Sequence, residues 1–212
     1  MSTSDSDAEQ SVGDQKSAPS DAVELPAFSR GRLVLRPFQT SDANRVHEIC
    51  QDRSIAATTQ NIPHPYAEDQ AEQWIATLGG LWSSGKAAVF AICLADEDLL
   101  IGAIGLQINQ QDHNAELGYW IAKDHWGRGV CTEAAAIVIP FGFEQLGLAR
   151  IHSMCMLCNP ASGRVLQKNG MQKEGVLRQH VRKWGVFKDV EVYGLLRTEF
   201  ERETDNSTAI LS

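Results

Sequence analysis

The sequence predicts a single α/β domain of the α+β kind, a sheet flanked by helices, and three observations predict it. First, 212 residues, 43% of them hydrophobic, supply one real core and are few for two. Second, stretches of period-two alternation and of helical spacing follow each other in the order βααβββαβαββ, which is neither strict βαβ alternation nor all-β. Third, that patterning fills residues 29–202 only, so 1–28 and 203–212 are expected to be tails.

The first tail is a different polymer from the rest. Its first 25 residues are rich in Ser, Asp, Gln and Ala, and such a stretch buries too little apolar surface to offset its ordering entropy. It also lacks the basic start and apolar run of a signal peptide. Asp5, Asp7, Glu9, Asp14, Asp21 and Glu24 against the single base Lys16 place five of the eight net negative charges there. The body is therefore only mildly acidic, with no footprint for a nucleic-acid backbone. No apolar stretch is long enough to span a bilayer. Five cysteines, an odd number without framework spacing, point to a reducing, cytoplasmic setting. Cys155 and Cys158 look like a CxxC pair, but they lie in an expected strand, where residues three apart face opposite sides.

Taken in order, Arg32-Leu-Val-Leu-Arg36 alternates up to Pro37 and is the first expected strand. Thr40-Ser41-Asp42 offers cap oxygens to a helix through about Cys50, with Val46, Ile49 and Cys50 on one face. After the loop Asn61–Tyr66, residues 68–82 carry Trp74, Ile75, Leu78 and Leu81/Trp82 at amphipathic spacing, and Gly85 stops that helix. Residues 87–94 and 99–108 form a hairpin through Ala95–Asp98, and 116–122 is a further strand. A helix from Gly129 to about Leu146 contains Pro140, where a kink is expected, and ends at Gly147. Residues 150–157 form a strand, Asn159-Pro160 starts a helix that Gly170 ends, and 172–181 and 186–197 are the last two strands.

The chemistry concentrates in Glu116-Leu-Gly-Tyr-Trp-Ile121 and the following Trp126-Gly-Arg-Gly-Val-Cys-Thr-Glu-Ala134. A strand enters a glycine-bearing loop that opens a helix, whose first N–H groups have no internal partner and whose dipole is positive there. A diphosphate suits such a place. A Walker A loop is absent, and Thr132 stands where a dinucleotide fingerprint needs its third glycine. On the glycines alone, a plain helix entry with two turn residues stays open. His47-Glu48 has no second histidine four residues after the first, so no zinc motif arises and no metal is expected.

The loop Trp126–Ala134 resembles the coenzyme A pyrophosphate loop of GNAT acetyltransferases, pattern Q/R-x-x-G-x-G/A, with Trp126 at the first position and Cys131 at the last. Trp at the first position resembles the branch of bacterial ribosomal-protein N-terminal acetyltransferases. The resemblance spans about residues 31–200 through Arg32–Pro37, Pro65-Tyr66, Gly147–Ile151, Asn159–Ser162, Leu166–Met171, Glu174-Gly175 and 189–196. It implies a mixed, mostly antiparallel sheet that splays after the fourth strand, with acetyl-CoA as cosubstrate and direct transfer in a ternary complex.

Residue by residue, the resemblance implies pyrophosphate contacts from the backbone of Arg128, Gly129, Val130, Cys131 and Thr132 beside Trp126 and Gly127, and pantetheine contacts from Tyr119, Trp120 and Ile121. Asn159 is a cofactor candidate, although capping alone explains it. Glu116 is the candidate base for the attacking amine. The tyrosine that protonates the thiolate in many members corresponds to Leu166, so Ser162 is the candidate acid. A carboxylate carried by some ribosomal-type members corresponds to Val181, with His180 beside it as a possible substitute. His64 and Tyr66 are expected to line the amine pocket. The acceptor implied is a protein N-terminus, with a small amine (polyamine, aminoglycoside or amino acid) or a non-catalytic acyl-CoA sensor as alternatives. The chain is expected to act as a monomer or homodimer, without membrane or nucleic-acid partners.

Overall fold

The computed structural model describes residues 24–202; the expected tails fall, for 1–23 and 203–212, outside the described residues. The domain starts earlier than expected. Phe28–Arg30 is a strand, β1, paired antiparallel with β2 (Leu33–Arg36). Leu25 and Phe28 pack on the core, and the Phe28 ring meets Phe90 and Phe141 edge-on at 5.7 and 5.5 Å. Three residues are too few to show alternation, so this strand has no signature in the sequence.

A 3-10 turn at Thr40–Asp42 leads into α1 (Ala43–Cys50), whose buried face is Val46, Ile49 and Cys50 as expected. Bonding keeps Asp42 buried: its carboxylate takes both guanidinium ends of Arg36 at 2.8 and 3.0 Å and the Gln39 amide at 2.8 Å. A short helix, α2 (Arg53–Thr58), lies where no element was expected, and Asp52 caps it through Ser54. Then follow α3 (Gln70–Ser83), β3 (Ala87–Leu94), β4 (Leu99–Asn109) and β5 (Asn114–Ile121). The remainder is α4 (Val130–Glu144), β6 (Arg150–Met156), α5 (Pro160–Lys168), β7 (Gln172–Lys183) and β8 (Val186–Leu196). Pro140 lies inside α4 without ending it. The last hairpin turns on Trp184-Gly185, both at positive φ (48° and 81°), the geometry that follows the twist of its strands.

The sheet runs β1-β2-β3-β4-β5-β6-β8-β7. Every neighbouring pair is antiparallel except β5 and β6. That parallel pair holds register for only Asn114–Glu116 against Arg150–His152, and then the strands diverge. This is the splay expected after strand 116–122; β1 moves the count by one. Helix α4 covers one face of the sheet, over Phe90, Ile104, Leu117 and Ile151. Helices α1 and α3 cover a portion of the other, over Ala91, Cys93 and Leu100. Among the described residues, no helix is long and apolar enough to cross a membrane.

Candidate active site

The site follows from the fork between β5 and β6. Along a strand, side chains alternate between faces, and the N–H and C=O of each residue alternate between edges. The Leu117 carbonyl points toward β6, because it accepts the buried Ser153 hydroxyl at 2.7 Å. Tyr119 and Ile121 therefore point their amides and carbonyls the same way, into the opening fork. The Ile121 carbonyl is taken by the Trp126 indole N–H at 2.8 Å, which ties the end of β5 to the loop after it. The Tyr119 backbone stays open to the fork. A cleft of about 850 Å³ passes through it, walled by β5, the Trp126–Thr132 loop and α5 on one side and by α1–α3 on the other.

The loop end of the cleft is built for an anion. Gly129 caps α4 at φ 80° and ψ 0°, and no side chain closes that helix start, so the first amides of α4 are left facing the cleft. Gly127, Gly129, Val130, Cys131 and Thr132 all line it. Arg128 does not. Its exposed side chain turns away, while its carbonyl accepts the Arg32 guanidinium at 2.5 Å. Arg32 also clasps Glu133 in the first turn of α4, at 2.7 and 3.2 Å. This exposed pair adds little stability, but it fixes the loop against the β1–β2 turn from outside. Arg164 and Lys168, four apart on α5, also line the cleft. Sequence reasoning missed them, although their i,i+4 spacing put two cations on one helix face beside an expected anion. The residues present thus fit the diphosphate arm of coenzyme A: uncapped helix amides, close-approach glycines and two cations.

At the middle of the cleft stands Ser162, in the first turn of α5. Asn159 caps this helix through the Ser162 amide at 3.3 Å and lines the cleft as well. The Ser162 hydroxyl lies 2.8 Å from the Tyr119 hydroxyl, which also reaches the Ser162 carbonyl at 3.1 Å. Burial raises the Tyr119 phenol well above its ordinary range, so it is a neutral hydrogen-bonding group at Ser162. The tyrosine position on α5, Leu166, is fully buried in the core and takes no role in the site. A phenol is nevertheless present near the fork, supplied by β5, where only a backbone role was expected. Burial pushes the Cys131 thiol up to about 12, which disfavours the thiolate a nucleophile needs.

Glu116 and Trp120 lie on the opposite face of β5 from Tyr119, toward α1–α3. Trp120 packs 6.5 Å from Trp74. This arm of the cleft is lined by apolar groups such as Ile55, Ile62, Tyr66 and Trp74 and by the amides Gln70 and Gln107. Glu116 is the one carboxylate lining the entire cleft among the described residues, and Gln107 stands directly opposite it on β4. Its neighbour on the other side, His152, has a buried Nδ1 with no partner among the described residues, and burial lowers its pKa. Tyr66 lines this arm too, with its phenol pushed up to about 12 by burial.

Two expected pocket residues are elsewhere. His64 lines a smaller neighbouring pocket instead, its ring 6.4 Å from Trp184. His180 is exposed and away from the cleft. It sits in an irregular stretch where four steps of β7, Leu177 to Val181, oppose two of β8. The Gln179 amide is held there by Asp189 at 2.8 Å, with φ at 52°. Val181 explains why no carboxylate occupies its position: it is buried with Met156 and Val190, where an acid would lack a partner.

Comparison with known proteins agrees with this geometry. Residues 32–172 match the family model described as an acetyltransferase (GNAT) domain. The chain is 34% identical over 174 residues to YoaA of Bacillus subtilis, described as an uncharacterized N-acetyltransferase, covering 82% of this chain and 98% of that one. It is 29% identical over 147 residues to the ribosomal-protein-serine acetyltransferase of Escherichia coli, covering 68% of this chain and 81% of that one. An acetyltransferase (GNAT family) crystal structure from Bacillus anthracis superposes with a TM-score of 0.73 at 25% identity, over 82% of this chain and 99% of that one. With an uncapped helix start at an anion loop, a strand fork and a carboxylate across from them, the chain belongs to the GNAT family and is an acetyl-CoA-dependent N-acetyltransferase.

Proposed function

We propose that the acceptor is the α-amine of a polypeptide N-terminus. One observation carries this reading: the acceptor arm contains a single carboxylate, Glu116, among apolar and amide groups, while the charged cleft residues Arg164 and Lys168 belong to α5 on the cofactor side. A polyamine needs several acids. A free amino acid brings a carboxylate next to its amine, and among the described residues no lysine or arginine lines this arm. A peptide N-terminus brings one ammonium followed by neutral amides, which matches one acid among amide side chains. The name of the E. coli relative, a ribosomal-protein acetyltransferase, points the same way. The five cysteines are all unpaired, which fits a cytoplasmic enzyme.

In this reading the cosubstrate lies along β5 with its diphosphate at the start of α4, and its carbonyl faces the free β5 amides of the fork. The amine enters from the opposite face. Glu116 takes a proton from the ammonium, directly or through water, and the neutral nitrogen attacks the thioester carbon. As the carbon–sulfur bond breaks, the nitrogen releases its second proton to solvent, and the sulfur takes the Ser162 hydroxyl proton, which water then restores. Tyr119 positions Ser162 through contacts with both its hydroxyl and its carbonyl. An α-amine, with an ordinary pKa near 8, needs less help from Glu116 than a lysine side chain would. Both Glu116 and Ser162 line the cleft, which supports turnover over an acyl-CoA sensor.

Thiol release from acetyl-CoA tests the reading, with neutral peptides, spermidine, an aminoglycoside and free amino acids as acceptors. Turnover is expected with peptides whose N-terminus is free and not with the same peptides blocked. Spermidine or an amino acid outperforming every peptide would overturn it.

A further inference from the structure

Beside the acceptor arm lies a second pocket, of about 280 Å³. Gln60, Asn61, Ile62 and Pro63 line both cavities, so a single run of chain divides them. The remaining wall is His64 and the tip of the β7–β8 hairpin, Arg182, Lys183 and Trp184. Its charge is one-sided. Lys183 is only 8% exposed, and its ammonium donates to the carbonyls of Ile62 at 2.6 Å and Gln60 at 3.4 Å. Among the described residues no carboxylate comes within 4 Å of it. A buried ammonium held by carbonyl dipoles and the face of the Trp184 ring, 5.7 Å away, has no opposite charge to compensate it.

Two guanidinium groups stand nearby, with no ion pair to an acid among the described residues. Arg53 lies 4.6 Å over the Trp184 ring and Arg182 5.7 Å over the Phe187 ring. The nearby acid, Asp52, is already engaged by the Ser54 amide and hydroxyl and by Lys123 at 3.9 Å. His64 adds a buried Nδ1 with no partner among the described residues. Buried polar atoms are rarely left so. Two cationic groups in the wall, Arg182 and Lys183, an unpaired imidazole nitrogen, and Arg53 behind the Trp184 ring define a place for an anion. Its adjacency to the acceptor arm says which molecule would carry the anion.

We propose that this pocket is a carboxylate subsite that takes an acidic side chain of the acceptor polypeptide, a few residues beyond the N-terminal amine held at Glu116. The inference rests on the polypeptide reading above. An extended chain advances roughly 3.4 Å per residue, and a wall one strand thick is about 4.8 Å, so two or three residues carry the acceptor from one cavity to the other. The carboxylate pairs with Arg182 and compensates the Lys183 charge without moving it.

The experiment uses the full chain and pairs of peptides that differ only by Asp or Asn at position 2, 3, 4 or 5. At one position, or two adjacent ones, the Asp peptide is expected to have the higher kcat/KM by on the order of tenfold, through KM. Arg182→Glu is expected to remove that preference while leaving the KM for acetyl-CoA as it was. Arg182 is exposed, so this variant keeps the fold where Lys183→Met threatens the 60–62 loop. Asp and Asn peptides of equal worth at every position would overturn the subsite, and so would a preference that survives Arg182→Glu. Neutral peptides that are not acetylated at all would mark a different failure, that of the polypeptide reading itself.

Discussion

The two arms of the cleft are made of different material. The cofactor arm is largely backbone: the β5 edge at the fork, the amides of the α4 start, and two glycines at positive φ. The acceptor arm is side chains drawn from α1, α2, α3, the 60–66 loop, β4 and β5. A backbone site depends on local conformation, which a few consecutive residues encode. A side-chain site depends on which distant segments come together. The first should therefore be sensitive to conformation and tolerant of side-chain chemistry, and the second the reverse.

The largest expected effect is on the acceptor side. Glu116→Gln should lower kcat/KM for a peptide by about a hundredfold or more near neutral pH and flatten the pH–rate profile, with acetyl-CoA affinity unchanged by calorimetry. An unchanged profile would remove Glu116 as base. Next comes the cofactor arm. Gly129→Ala forces a Cβ onto a residue at φ 80° and should weaken acetyl-CoA binding by roughly tenfold, whereas its effect on the peptide KM should be small. Equal loss of both would erase the division between the arms.

Tyr119→Phe should reduce kcat by roughly tenfold, as removal of a single positioning hydrogen bond does, and the loss should nearly vanish in a Ser162→Ala background. Additive losses would separate the two hydroxyls. His152 gives a smaller, pH-dependent signal. Burial lowers its folded pKa, so the unfolded chain binds the proton more readily. Its contribution to stability is present above the unfolded value near 6.5 and fades as pH falls below it. Thermal melts should show a decline from about pH 7 to about pH 5 that is shallower in His152→Gln. Smallest of all is Cys131→Ser, expected to change kcat less than about twofold because the thiol stays protonated.

The same division explains what could be seen in the sequence. The Trp126–Thr132 loop, the Asn159-Pro160 helix start and the burial of Val46, Ile49 and Cys50 are local patterns, and the structure has them where the residues put them. Tyr119 reads only as backbone in the sequence, because its hydroxyl acquires meaning from Ser162, 43 residues away. His64 and His180 were misplaced for a related reason. Nothing local says that residues 60–63 wall off His64, or that β7 spends four residues against two of β8 before Val181. Strand β1 and helix α2 are too short, at 3 and 6 residues, to show a period.

One detail at the fork governs its aperture. The last backbone rung between β5 and β6 is Glu116 with His152, and the next tie is the Ser153 hydroxyl on the Leu117 carbonyl. A rung made by the main chain is common to all sequences, but a rung made by a hydroxyl belongs to a single codon. Threonine there would keep it, and alanine would release the carbonyl and let the strands separate sooner. The width of the gate through which the acyl group meets the amine is thus a separately adjustable dimension, open to change without touching the topology of the sheet.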